Sequence, residues 1–195
     1  MTMTDTVSTD FAALYPHFAQ RLEAVAGDVA QVDGTEALTT AIATRFASPD
    51  ATTPGVLWIA AETAEAAPNL LAALKARGLE PRIATDPAAV RDQPLGLTIA
   101  RATIAETGSS LLVEPTAEGR SVTLMTEALI VLCEKANLVP GLTEAAPILR
   151  EVSARGASYA TFVTGPSRTS DIERTLTIGV QGPSEFHVYF TDEIA

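Results

Sequence analysis

The chain of 195 residues sets 13 basic against 24 acidic side chains, a formal net charge of −11, and is 47% hydrophobic and 19% charged. This balance repels nucleic acid and anionic membrane surfaces at long range, and no run approaches the ~18 apolar residues of a membrane span, so neither partner is expected. The single cysteine, Cys133 within ALIVLC, excludes an intrachain disulfide, a cysteine-held cluster and a structural zinc site, and reads as buried and inert.

The opening MTMTDTVSTD lacks the basic and apolar regions of a secretory signal, so residues 1–10 are expected to be a flexible, cytoplasmic terminus. Phe18, Leu22 and Val25 recur at helical spacing before Gly27, which predicts a helix over 16–26 with Pro16 in its first turn. A short strand over 29–32 follows, then a helix over 34–46 in which Asp33 and Glu36 have capping-box spacing. After a Ser/Pro/Gly loop over 48–55, VLWIA at 56–60 reads as a buried strand. A helix carrying Leu70, Leu71 and Leu74 comes next and stops at Gly78.

Residues 82–85 form the next expected strand, and 97–113 contains two strand-like pieces meeting at Thr107-Gly108. Strands over 129–132, 159–163 and 186–190 and a helix over 142–154, interrupted at Pro147, complete the pattern. Strands alternating with helices predict a single α/β domain with a mostly parallel sheet covered on both faces.

Three polar interruptions stand out. TGPSRTSDIE, Thr164 to Glu173, directly follows an apolar run, the place where open α/β sheets hold ligands. Gly165 permits close backbone approach, Pro166 fixes a turn, and Ser167 and Thr169 offer hydroxyls. Ser170, Asp171 and Glu173 have the spacing of a capped first helical turn, whose free amides suit an anion, and Arg168 can add a forked donor. The plain alternative is a capped turn without a ligand, with Arg168 paired to Asp171, Glu173 or Glu106. In IAETGSS, Ile104 to Ser110, a bend at Thr107-Gly108 points Glu106 and Ser109 into a cleft. Glu106 can act as general base, as nucleophile, or as a salt-bridge partner of Arg168; on side-chain chemistry the salt bridge ranks first. GVQGP, Gly179 to Pro183, is a turn before the last strand and lacks the full dinucleotide fingerprint. His17 and His187 have no second ligand at metal spacing, so no metal is expected, and His187, between Phe186 and Val188, reads as structural rather than as a triad member with Ser167 and Asp171.

With these residues in view the sequence resembles the LUD-domain family, in its lactate utilisation protein C branch. AETGS at Ala105 to Ser109, GPSRTSDIE at Gly165 to Glu173 and GVQGP at Gly179 to Pro183, including Gly182, carry the resemblance in the family's order. Gln181 stands where the family usually has histidine, and the chain reads as a short version of the family. The resemblance implies a three-layer Rossmann-like fold of the NagB/RpiA/CoA-transferase kind over residues 11–195. It also implies a part in converting L-lactate to pyruvate beside LutA- and LutB-like partners that carry the iron–sulfur clusters, with no cofactor bound by this chain. By analogy with CoA transferases, Glu106-Thr107-Gly108 has the form of their catalytic E-x-G turn. Three classes follow: a non-catalytic subunit of lactate oxidation, a small-molecule enzyme using Glu106, and a ligand-sensing module.

Overall fold

The computed structural model describes residues 10–46, 55–156, 159–169, 177–179 and 181–194. Helix α1 (Phe11–Glu23) starts at Asp10, whose side chain accepts the Ala12 amide at 3.3 Å. Pro16 therefore lies inside the helix rather than opening it. An interior proline costs about 3 kcal/mol, but Leu14, Phe18 and Leu22 are buried on one face, each worth roughly 1.5–3 kcal/mol. The burial wins.

After β1 (Asp28–Gln31), α2 (Thr35–Phe46) begins at Gly34, whose carbonyl accepts the Leu38 amide. Asp33, expected as the cap, lies outside the helix and pairs with Lys135. Next come β2 (Gly55–Ile59), α3 (Ala61–Ala66), α4 (Pro68–Ala76), β3 (Leu79–Ile83), α5 (Pro87–Val90) and β4 (Leu95–Ile99). The stretch expected as two strand pieces yields three, since β5 (Ala102–Ile104) and β6 (Ser109–Val113) form a hairpin separate from β4. There follow α6 (Ala117–Met125), β7 (Ala128–Glu134), β8 (Leu138–Val139), α7 (Leu142–Ala154), β9 (Ala160–Val163), β10 (Arg168–Thr169), β11 (Thr177–Ile178) and β12 (Glu185–Thr191). Helix α7 runs unbroken through Pro147, against the expected interruption.

The central sheet has the order β1-β12-β7-β4-β2-β3, and every pairing in it is parallel. Strand β7 occupies a middle position and is apolar and buried from Ala128 to Cys133, as a parallel strand covered on both faces must be. On one face Ile130, Leu132, Leu97 and Leu57 pack under α2 and α4 through Leu38, Ile42, Leu70 and Leu74. On the other, Leu129, Val131, Phe186 and Phe190 meet α1 and a second sheet. That second sheet has the order β8-β5-β6-β9, with β6 antiparallel to both neighbours. Helices α5 and α6 cover the rest of this face around Val90, Val122 and Trp58.

The chain builds from β2 outward to β3, then returns to place β4 on the other side of β2. The crevice beyond the carboxyl ends of β2 and β4 is thus the switch point of the parallel sheet.

Candidate functional site

The polar loops gather, but not where the sequence pattern placed them. Strand β9, which leads into TGPSRT, belongs to the second, mixed sheet, where it pairs antiparallel with β6, so its carboxyl end is not a carboxyl end of the parallel sheet. The loop lies instead beside the amino ends of β7 and β12: Ser167 donates its amide to Pro183 O at 2.7 Å, and Ser184 donates its own to Glu127 O at 2.7 Å, just before β7.

Two contacts join the blocks. Thr107 Oγ1 donates to Ser109 Oγ at 2.7 Å, and Ser109 Oγ lies 2.6 Å from Thr164 Oγ1, which links the ETG turn to the start of TGPSRT. Ser167 Oγ donates to Gln181 O at 2.9 Å, and Gly179 donates its amide to Ser167 O at 2.9 Å, which links TGPSRT to GVQGP. The short β10–β11 pair extends this link, with Arg168 opposite Ile178 and Thr169 opposite Thr177. Gly182 backs onto Ser167, whose Cβ a methyl there would approach to 3.3 Å.

The glycines of the first two blocks rest on the end of α1. Gly108 has φ +70, and a Cβ on it would stand 2.7 Å from Leu22 N; one on Gly165 would stand 2.8 Å from Val25 Cγ2 and 3.1 Å from Val25 O. Only glycine allows backbone so close in these conformations. Helix α1 thereby fixes the two loops relative to each other.

The structure separates Glu106 from its expected partner. Among the described residues Arg168 makes no ion pair, and Glu106 pairs with no cation. Glu106 is exposed, its amide donates to Pro140 O at 3.0 Å, and its carboxylate lies at the head of α7, where a Cβ on Gly141 would be 3.0 Å from Glu106 Oε2 and 3.3 Å from Glu144 Oε2. The helix dipole favours two carboxylates there, which takes the place of the expected salt bridge. Ser170, Asp171 and Glu173, with the proposed capped turn, lie outside the described residues.

The LUD domain family model matches residues 15–191 of this chain. The chain belongs to the LUD domain family. Among its relatives are Lactate utilization protein C of Bacillus subtilis (strain 168), 38% identical over 92 residues that cover 46% of this chain and 38% of that protein. Lactate utilization protein C 1 of Bacillus mycoides (strain KBAB4) is also 38% identical over 92 residues, 46% of this chain and 39% of the relative. The chain thus matches about two fifths of the length of these curated relatives. A crystal structure of a DUF162 family protein from Deinococcus radiodurans superposes with a TM-score of 0.65 over 93% of this chain and 98% of the other, at 17% identity, and shares the fold.

Two further features of this LUD domain bear on chemistry. Glu114, just after β6, is a buried carboxyl that the sequence pattern did not single out: Thr98 Oγ1 donates to its Oε1 at 2.7 Å, and its Oε2 lies where a Cβ on Gly119 would come within 2.5 Å. Thr98 is near the end of β4, and Ala60, just after β2, borders Gly119, so Glu114 sits at the switch point. Burial raises its pKa and Glu62 adds to the rise, against the lowering effects of the Thr98 hydroxyl and Arg120. The signal in the sequence was a lone acid ending an apolar strand, which is indistinguishable from a surface position until β4 is known to lie beneath it. Cys133 and His187 are structural. Burial pushes the Cys133 thiol up to about 12. His187 is buried on β12 between Glu185, 3.1 Å from Nε2, and Asp28, 3.1 Å from Nδ1 but without hydrogen-bond geometry; burial first and Arg45 second lower its pKa. Among the described residues no three His, Cys, Asp or Glu side chains gather as a metal site, and no helix is long and apolar enough to cross a membrane.

Proposed function

We propose that this LUD domain protein serves lactate utilisation in the cytoplasm, as a cluster-free component of a system that oxidises L-lactate to pyruvate. It holds a small anionic ligand where the AETGS, GPSRT and GVQGP blocks meet, with Arg168 as a charged donor, while LutA- and LutB-like iron–sulfur partners carry the electrons. The observation that carries this reading is the pair of hydrogen-bonded links, Ser109 to Thr164 and Ser167 to Gln181, that gather the three blocks into one cluster. The name the relatives carry supports the pathway. Oxidation of a 2-hydroxy acid removes two electrons and two protons, and the acceptor must be a flavin, nicotinamide, metal or cluster. The one thiol of this chain, Cys133, is buried, which accords with a cluster carried by a partner.

Deletion of the gene should abolish or slow growth on L-lactate and spare growth on pyruvate, with Arg168→Ala failing to restore it. Undiminished growth of the deletion strain on L-lactate, with no paralogue present, would refute the role. A second reading, a small-molecule enzyme using Glu106, draws on the exposed position of that carboxylate at the head of α7. Under that reading Glu106→Gln abolishes complementation while leaving ligand affinity intact.

A further inference from the structure

A groove of about 670 Å³ runs along the amino ends of β4, β7 and β12, between the Arg91-Asp92 turn, the end of α6 and the GVQGP loop. Its volume is that of a small-molecule site, ~300–1,000 Å³. Three features set it apart from ordinary surface. Arg91 lines it and, among the described residues, makes no ion pair. Asp92 holds φ +59, a left-handed conformation uncommon outside glycine, and its amide donates to Met125 O at 2.9 Å, so the turn that presents Arg91 is pinned to α6. Leu124 and Met125 form an apolar wall and are 37% and 38% exposed, though each belongs to a helix that buries other residues.

We propose that this groove binds a small monocarboxylate, with its carboxylate on Arg91 and its carbon chain against Leu124 and Met125. The inference rests on the reading above only in taking the motif cluster as the ligand region; it names the ligand class and a charged group that the motifs do not contain. Charge sets the selectivity. Among the described residues Arg91 is the one cation of the lining and stands with two carboxylates, Asp92 and Glu127, on a chain of net charge −11, so a ligand with a single carboxylate on Arg91 meets less repulsion than one with a second negative charge. Dicarboxylates and phosphate are rejected by that arrangement. Gln181 also lines the groove, and its backbone is fixed by Ser167. Its neutral amide offers a donor and an acceptor beside the carboxylate, which suits a 2-hydroxy or 2-oxo group.

The test is calorimetric titration of the full chain with L-lactate, pyruvate, 2-hydroxyhexanoate, succinate and inorganic phosphate. Wild type is expected to bind the three monocarboxylates at least tenfold more tightly than succinate or phosphate. Arg91→Ala should weaken monocarboxylate binding tenfold or more, the loss of one charge-assisted contact, and Arg91→Lys should restore part of it, because lysine keeps the charge without the planar fork. Leu124→Ser should weaken 2-hydroxyhexanoate more than L-lactate. Arg91 is exposed, and circular dichroism verifies that its variants are folded. The proposal is overturned by equal binding in wild type and Arg91→Ala, by tighter binding of succinate or phosphate, or by no monocarboxylate binding at millimolar concentration. The two readings fail separately: normal growth of the deletion strain on L-lactate removes the pathway role and leaves an Arg91-dependent groove standing, whereas a growth defect without monocarboxylate binding removes the groove and leaves the role.

Discussion

Gly108→Ala measures how tightly the ETG turn is held against α1. Gly108 has φ +70, and holding a residue with a Cβ in the left-handed region costs roughly 1–2 kcal/mol. The added methyl would also stand 2.7 Å from Leu22 N, 2.8 Å from Arg21 Cβ and 3.0 Å from Arg21 C. Two of those three atoms are backbone and cannot rotate aside, so helix or turn must shift, at about 1–3 kcal/mol for overpacking. The sum is roughly 2–5 kcal/mol. Gly78→Ala supplies the reference, since Gly78 has φ +87 and a methyl added there would meet nothing within 4 Å, so only the conformational cost of about 1–2 kcal/mol applies. Urea unfolding followed by circular dichroism and by the fluorescence of Trp58, the one tryptophan, gives both values. Equal destabilisation by the two substitutions would refute the claim that α1 clamps the turn.

Glu114→Gln should gain stability relative to wild type as pH rises. The folded pKa of Glu114 is raised, so the native state holds a proton that the unfolded state releases from about pH 4.3 upward; wild type loses stability from there through the folded pKa, and glutamine does not titrate. Urea midpoints of both proteins between pH 4 and 8 check this, and a constant difference across the range would contradict it. Phe18→Ala should destabilise by roughly 3–5 kcal/mol, because Phe18 is fully buried with its ring edge-on to Phe190 at 5.2 Å; chemical denaturation measures it, and a loss under 1 kcal/mol would show that α1 is not part of the core.

The α/β class was readable because hydrophobic continuity survives without tertiary context: ALIVLC is apolar at every position, as a strand buried on both faces must be, and it is too short for a typical buried helix. The motif blocks were readable as polar breaks in such runs. Which sheet a strand joins was not. Residues 160–163 have a half-exposed pattern that fits an edge strand of either sheet, and assigning it to the parallel one moved the TGPSRT loop to the wrong end of the molecule. Helix α6, AEGRSVTLM, escaped notice because it packs through small and polar residues, Gly119, Ser121 and Thr123, with Val122 as its one large buried apolar side chain. Arg91 and Asp92 lie in a turn with no motif, and their relation to Gln181 exists only once α6 stands between them.

The seat that α1 provides for Gly108 and Gly165 also governs when the motif cluster can come into being. The β5–β6 hairpin is a local contact and closes early, but its bend reaches its final position only against Arg21 and Leu22, and Ser167 only against Gln181. Contacts as distant in the chain as Gly108 to Leu22 and Gly165 to Val25 are entropically expensive to close and are slow to form. During synthesis the end of α1 stays uncovered until the segments that carry Gly108 and Gly165 have left the ribosome, long after the helix itself.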